Sequence, residues 1–377
     1  MSYAFELGPI RPPSEAMSIL IRVTRNCPWN KCAFCMTYGE AFSKRSVEEV
    51  KGDIDSIHTI ADRIINASYK LDYNGIINEP VLREAIGIDI TPSHYYNQVA
   101  MWLYYGMKSA FLQDANSLIV KTNDLIEIVK YLKEKFPTLE RVTTYARAKT
   151  LSKKSLKELK DLRNAGLSRL HIGMESGADS VLEFIQKGVT SSELISGGKK
   201  AIEAGFDLSE YYMPGLGGKE FVKENALETA QVLNEINPTF IRIRSTIPVP
   251  GTLLYQRMTE KKWTPLTEEG KVEEIRLFIE SLDGITSNIL SDHMMNLLED
   301  VQGRLPEDKD KIIKVIDEFL SLSTEEKESF IIGRRLGRFR RLTDLKADPQ
   351  IEQFKADIKS RYSTVDNGIL ELIKNFI

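Results

Sequence analysis

Cys27, Cys32 and Cys35 are the only cysteines in this 377-residue chain, and all three fall in Asn26-Cys-Pro-Trp-Asn-Lys-Cys-Ala-Phe-Cys-Met36. Thiolates are soft donors, so three this close can converge on one metal centre, one fewer than a closed tetrahedral site requires. Something other than cysteine must complete the set. An iron-sulfur cluster with one open iron suits three close cysteines better than structural zinc, which takes four protein ligands. The open iron would be the reactive position. A zinc site would have to draw on His58, His94, His171 or His293, none of which stands at a zinc-ribbon spacing.

The elements that position this loop follow a strand-helix alternation. Ser18-Ile-Leu-Ile-Arg-Val-Thr24 is apolar and β-branched and reads as a buried strand that ends at the cysteine loop. Further strands are predicted at 109–113, 141–145, 169–173, 208–213 and 240–248. Helices are predicted from Val47 and over 124–135, 154–165, 179–204 and 221–235. Six strands alternating with helices imply an α/β fold, a partial (β/α)6 parallel barrel of TIM type with right-handed crossovers. In such folds sites lie beyond the carboxyl ends of the strands. Residues 1–17 read as an N-terminal leader, 18–252 as the core and 253–377 as a C-terminal helical region. Within the core, 71–107 reads as a less regular insertion able to cover a site, with Asn74-Gly75, Pro80 and Pro92 as breakers. The C-terminal helices are expected at 271–282, 294–300, 309–322 and 325–332.

Composition narrows the function classes. Hydrophobic residues at 42%, charged residues at 28% and a net charge of -3 describe an ordinary globular chain, with no electrostatic case for nucleic acid or an anionic membrane. Three clustered cysteines are not a disulfide framework, and the N-terminus has no signal pattern, so a cytoplasmic location is expected. No apolar window reaches the roughly 20 residues of a membrane span.

The cysteine loop after a first strand, with Phe34 before the last cysteine, resembles the radical S-adenosylmethionine (SAM) superfamily. The second gap, Ala33-Phe34, has the superfamily's usual length; the first, Pro28-Trp-Asn-Lys31, has four residues where three is usual. The resemblance implies that Cys27, Cys32 and Cys35 bind a 4Fe-4S cluster whose fourth iron chelates SAM. Reductive cleavage would give a 5'-deoxyadenosyl radical that takes hydrogen from a substrate. It also implies a reductase or a flavodoxin- or ferredoxin-type electron donor. The stretch Leu167-Ser-Arg-Leu-His-Ile-Gly-Met-Glu-Ser-Gly177 with Lys187-Gly188-Val-Thr190 is similar to the subgroup of oxygen-independent coproporphyrinogen oxidases, methylthiotransferases and elongator-type tRNA enzymes.

Carried over position by position, the resemblance places Asp114 and Asn116, after the second strand, on the SAM amino group. An ammonium in a dry pocket needs carboxylate or carbonyl acceptors. A helix N-cap at Asn116 or Ser117 is the alternative. Arg147, at the third strand's end, has the fork to bind a carboxylate, with a surface ion pair as the alternative. Glu175 is assigned to the SAM ribose or ammonium and Ser176 to its support. Arg244 is the site candidate of the sixth strand, with Ile247 and Val249 for adenine packing. The glycines of Tyr212-Met-Pro-Gly-Leu-Gly-Gly218 allow close backbone approach to a ligand, or serve a turn. His171, amid apolar neighbours, reads as a core residue.

The substrate is less legible. His293 is either a substrate-facing group or a residue in the first turn of a helix capped by Ser291 or Asp292. Tyr95, Tyr96, Trp102, Tyr104 and Tyr105 either wall an apolar substrate or belong to the core. With no further cysteines, auxiliary clusters are not expected, nor is sulfur insertion, and the first 17 residues are too few for a cobalamin domain. The expected function is a radical SAM enzyme acting on a small-molecule or lipid-like substrate. The alternatives are a porphyrin-handling relative of the coproporphyrinogen oxidases and a non-catalytic iron-sulfur or zinc module.

Overall fold

The computed structural model describes residues 3–88 and 90–373. Among the described residues mostly parallel strands alternate with helices, which confirms the α/β class. The chain divides into two units. One is Met1–Asn30, Thr37–Ile172 and Lys200–Asp207; the other is Lys31–Met36, Gly173–Lys199 and Leu208–Ile377.

In the first unit, β1 (Ile19–Arg22), β2 (Ser109–Gln113), β3 (Arg141–Ala146) and the start of β4 (Arg169–Glu175) run parallel. Leu20 lies opposite Phe111, Phe111 opposite Thr143, and Tyr145 opposite His171. β2 is buried along its whole length, as expected of a strand covered on both faces. The helix Val47–Lys70 starts at a capping box between Ser46 and Glu49. It buries Val50, Ile54, Ile57, Ile60 and Ile64, a stripe at helical period.

The 71–107 insertion is more regular than its composition suggests. It folds as the helices Glu79–Ile86 and Ser93–Tyr104. Asn78 caps the first by accepting from the Val81 N–H, and Pro80 sits in its first turn, where a missing N–H costs nothing. Tyr96 and Trp102 are core residues, and the Trp102 indole N–H donates to the Ser109 carbonyl at 2.8 Å; Tyr104 and Tyr105 are exposed.

His171 is buried beside Glu15 of the short turn Pro13–Glu15, with Nε2 3.6 Å from the carboxylate. Burial works to raise the Glu15 pKa. The nearby His171, the hydrogen bond from Ser18 and the Arg141 charge outweigh it and hold the carboxyl at about 2. His171 is thus a core residue.

In the second unit, β5 (Asp207–Tyr212, from Leu208 on), β6 (Phe240–Ile243) and β7 (Asn288–Leu290) run parallel, and β8 (Gly303–Arg304) adds antiparallel to β7. β7 and β8 lie beyond Gly251, where no strand is predicted. At three and two residues they are too short to show alternation. β6 is shorter than the predicted 240–248: after Ile243 the Ser245 N–H goes to the Asn296 side chain at 2.8 Å instead of a strand neighbour.

The same asparagine explains why 294–300 is not the predicted helix. Its Nδ2 donates to the Ile243 carbonyl at 2.7 Å and to Ser291 Oγ at 3.1 Å, which fastens the segment to β6 as a loop. His293 is therefore in no helical first turn, and Ser291 donates to the Leu298 carbonyl instead of capping. Helices Thr122–Lys135, Leu156–Ala165, Asp179–Phe184, Ser191–Glu203 and Val222–Ile236 stand between the strands, and those after Gly251 include Leu253–Thr259, Glu268–Ser281, Lys309–Ser321, Thr324–Arg335, Pro349–Tyr362 and Val365–Ile373.

Candidate metal and cofactor residues

The first unit carries Cys27. The Asn30 N–H points at its Sγ at 3.4 Å, an N–H···S contact of the kind that stabilises a thiolate and tunes a cluster. Just before it, the Asn26 N–H donates to Asp114 Oδ2 at 3.2 Å. Arg22, the one charged residue of β1, donates to the same oxygen from Nε at 3.0 Å and Nη2 at 2.8 Å. Asp114 is only 1% exposed, and its Oδ1 is buried with no hydrogen-bond partner. Burial pushes its pKa up, against the opposing pull of Arg22. Gly8 leaves the room that Oδ1 occupies: a Cβ there would fall 2.4 Å from it.

Asn116 and Arg147 lie in the same unit. The Asn116 amide accepts from the Arg147 N–H at 3.1 Å and donates to Thr150 Oγ1 at 2.9 Å. Its side chain caps no helix; it ties the end of β2 to the end of β3. The half-buried Arg147 guanidinium lies 5.0 Å from the ring centre of Trp29, within the four-residue gap after Cys27. Trp29 carried no functional signal in the sequence beyond its place between two cysteines.

The second unit carries Cys32 and Cys35 in a tight turn, with the Cys35 N–H donating to the Cys32 carbonyl at 3.1 Å. Ala33 anchors it. Its N–H donates to the Ile185 carbonyl at 2.8 Å, and its carbonyl accepts from the Leu254 N–H at 2.7 Å. At 2% exposure its methyl packs in a cluster with Ala178, Val181, Ile185, Met213 and Trp263, and Phe34 packs against it.

Glu175 ends β4 with φ +68° and pairs with Lys187 at 2.9 Å; the Lys187 ammonium also lies 5.6 Å from the Phe34 ring centre. A Cβ at Gly173 would fall 2.2 Å from Glu175 Oε1. Ser176 Oγ accepts from the Ala178 N–H at 3.2 Å, which shapes the turn after Glu175.

Two buried acids of this unit carried no local sequence signal. Glu210, on β5, is 1% exposed, with Oε2 lacking a hydrogen bond. Burial, then the nearby Glu175 charge, pushes its pKa well up. Glu274 pins the glycine-rich loop by accepting from the Gly215 N–H at 2.9 Å, Tyr212 Oη at 2.6 Å and Asn225 Nδ2 at 2.6 Å; burial pushes its pKa up to about 7. Arg244 is exposed just past β6, close enough to His293 for its charge to act on the imidazole.

None of the three cysteines is in a disulfide, and all are partly exposed. Among the described residues no three His, Cys, Asp or Glu side chains gather as ligands of a single ion. In the first unit the N–H aimed at Cys27 Sγ fits a thiolate held as a cluster ligand. In the second, the anchored Ala33 fixes the turn that carries Cys32 and Cys35. No described helix is long and apolar enough to cross a membrane.

No protein-family model matches the chain. A tRNA uridine(34) acetyltransferase of Methanocaldococcus jannaschii is 24% identical over 120 residues, 32% of this chain and 22% of the relative. An uncharacterized methyltransferase of Pyrococcus horikoshii is 22% identical over 241 residues, 63% of this chain and 41% of the relative. The chain thus spans less than half the length of these curated relatives.

Similar solved structures include Elp3 of Methanocaldococcus infernus, with a TM-score of 0.42 at 16% identity over 56% of this chain and 54% of that one. A second is the radical SAM methyltransferase TsrM of Kitasatospora setae, solved with cobalamin and a 4Fe-4S cluster, at 0.44, 14%, 65% and 37%. A third is OxsB, a cobalamin-dependent SAM radical enzyme, at 0.43, 16%, 95% and 52%. Of these similar structures, TsrM and OxsB are SAM radical enzymes.

Proposed function

We propose that the chain is a radical SAM enzyme in which Cys27, Cys32 and Cys35 hold a 4Fe-4S cluster. When bound, the cluster supplies the electron that cleaves a carbon-sulfur bond of SAM. The observation that carries this reading is the cysteine turn. Both backbone groups of Ala33 are hydrogen-bonded and its methyl is buried, which supports a well-held turn with the partly exposed Cys32 and Cys35 on either side of the anchor.

The chain's own residues then have separable tasks. Arg22 and Asp114 fix the backbone at Asn26 and so the approach to Cys27. Arg147, held over Trp29, presents a guanidinium suited to a carboxylate. Glu175, set by Lys187 and by the room at Gly173, presents a carboxylate suited to a ribose hydroxyl or ammonium, and Ser176 shapes its turn. Asp114, through its unpartnered Oδ1, and Asn116, through a second lone pair of the Oδ1 that already accepts from Arg147, remain the proposed contacts of the SAM amino group.

The reading extends to a cytoplasmic enzyme with a small-molecule or lipid-like substrate and a flavodoxin- or ferredoxin-type electron donor. Anaerobic reconstitution with iron and sulfide tests the metal assignment: a chain-bound cluster that takes up SAM is expected. Zinc binding with no iron-sulfur chromophore would overturn it.

A further inference from the structure

β6 and β7 are parallel neighbours with Arg242 opposite Leu290, so the residues just past their carboxyl ends, Arg244 and the Asp292-His293 pair, come to one level. Ligands of parallel β/α folds bind beyond such ends. Arg242, within β6, and Arg244, just past its end, differ in a decisive way. Arg242 is consumed: Nη1 pairs with Asp292 at 2.9 Å and Nε donates to Ser209 Oγ at 3.1 Å. Arg244 is exposed, and among the described residues its guanidinium makes no side-chain hydrogen bond or ion pair.

The imidazole beside it is preset as a donor. The Met295 N–H donates to His293 Nδ1 at 3.3 Å, so in the neutral ring the proton sits on Nε2. Burial, then the Arg244 charge, lowers the His293 pKa to about 4, with Asp292 opposing, so the ring is neutral at physiological pH. The loop that carries it is firmly held. Asn296 bonds to Ser245, Ile243 and Ser291, while Arg334 and Arg335 donate to the Asn296 and Met295 carbonyls.

We propose that Arg244 and His293 form an anion clamp for a carboxylate or phosphate group, with the Arg244 fork supplying charge and His293 Nε2–H a directed hydrogen bond. A neutral imidazole with a fixed tautomer adds direction without a second charge to desolvate. The clamp stands on the strand register and the fixed His293 ring of this unit; only the identity of the anion, the carboxylate of SAM or an acidic group of the substrate, rests on the function proposed above.

The test is a titration of the full chain, labelled with 15N at its four histidines, with inorganic phosphate as probe. His293→Gln identifies the His293 ring signals. The clamp predicts that phosphate shifts these signals saturably and that Arg244→Gln weakens the effect at least about tenfold, as loss of a charged hydrogen bond does. Signals that do not move, or that move equally in Arg244→Gln, overturn it. SAM is then added to phosphate-bound protein that has been anaerobically reconstituted and binds SAM: displacement of phosphate assigns the clamp to the SAM carboxylate, and undisturbed phosphate assigns it to an acidic substrate. The phosphate arm needs neither cluster nor SAM cleavage, so its failure is separable from failure of the radical SAM reading.

Discussion

Arg22 and Asp114 meet through a single oxygen: Nε at 3.0 Å and Nη2 at 2.8 Å both donate to Oδ2, which also receives the N–H of Asn26, the residue before Cys27. A buried carboxylate thereby joins the end of β1 to the start of the cysteine loop. Removing the guanidinium leaves the charge uncompensated, so Arg22→Met is expected to cost about 3 kcal/mol in urea unfolding. It should also lower cluster retention. Unchanged stability and iron content would show that this pair does not brace the loop.

The Cys32–Cys35 turn is sensitive to volume at Ala33, which is packed among Val181, Ile185, Met213 and Trp263. Ala33→Leu should destabilise the chain by about 1–3 kcal/mol through overpacking, whereas Ala33→Gly should be milder. Denaturation midpoints of the two variants check the order.

Gly173 separates positioning from folding. Its added Cβ would meet Glu175 Oε1, the far end of a flexible side chain, so Gly173→Ala should shift stability by no more than about 1 kcal/mol while displacing Glu175 from Lys187. SAM affinity, measured by equilibrium dialysis on the reconstituted protein, should fall. Retained affinity would remove Glu175 from the proposed contacts.

Glu274 gives stability a pH slope. Its folded pKa of about 7 lies above the ordinary 4.5, so folding favours the protonated acid. That contribution is whole below pH 4.5 and is lost as pH rises through 7, a decline of about 3 kcal/mol over that window. Glu268, held at about 2 although burial works to raise it, because Arg335 and Lys271 outweigh burial, titrates below this window. The difference between wild type and Glu274→Gln should therefore carry the decline. Parallel stability curves across pH 4.5 to 7 would contradict it.

Legibility in the sequence tracked how local each signal was. β2 and β3 were readable from short apolar runs, and the three cysteines from spacing alone. The insertion was misread because Pro80 and Pro92 look like breakers, yet one lies in a helix's first turn and the other just before a helix, positions that proline tolerates. β7 and β8 were missed because strands that short have no period. The partners that set the candidate site residues, Arg22 for Asp114, Trp29 for Arg147 and Lys187 for Glu175, arise from tertiary packing. Glu210 and Glu274 carried no local signal, Glu274 standing beside Glu273 in an ordinary charged helix; their burial arises from tertiary packing.

The most direct test of the central claim is the fate of SAM on the anaerobically reconstituted protein reduced with dithionite. The account predicts that wild type forms 5'-deoxyadenosine and that Cys32→Ala, which removes one cluster ligand, forms none. No 5'-deoxyadenosine from a cluster-loaded wild type, or equal amounts from the variant, would contradict it.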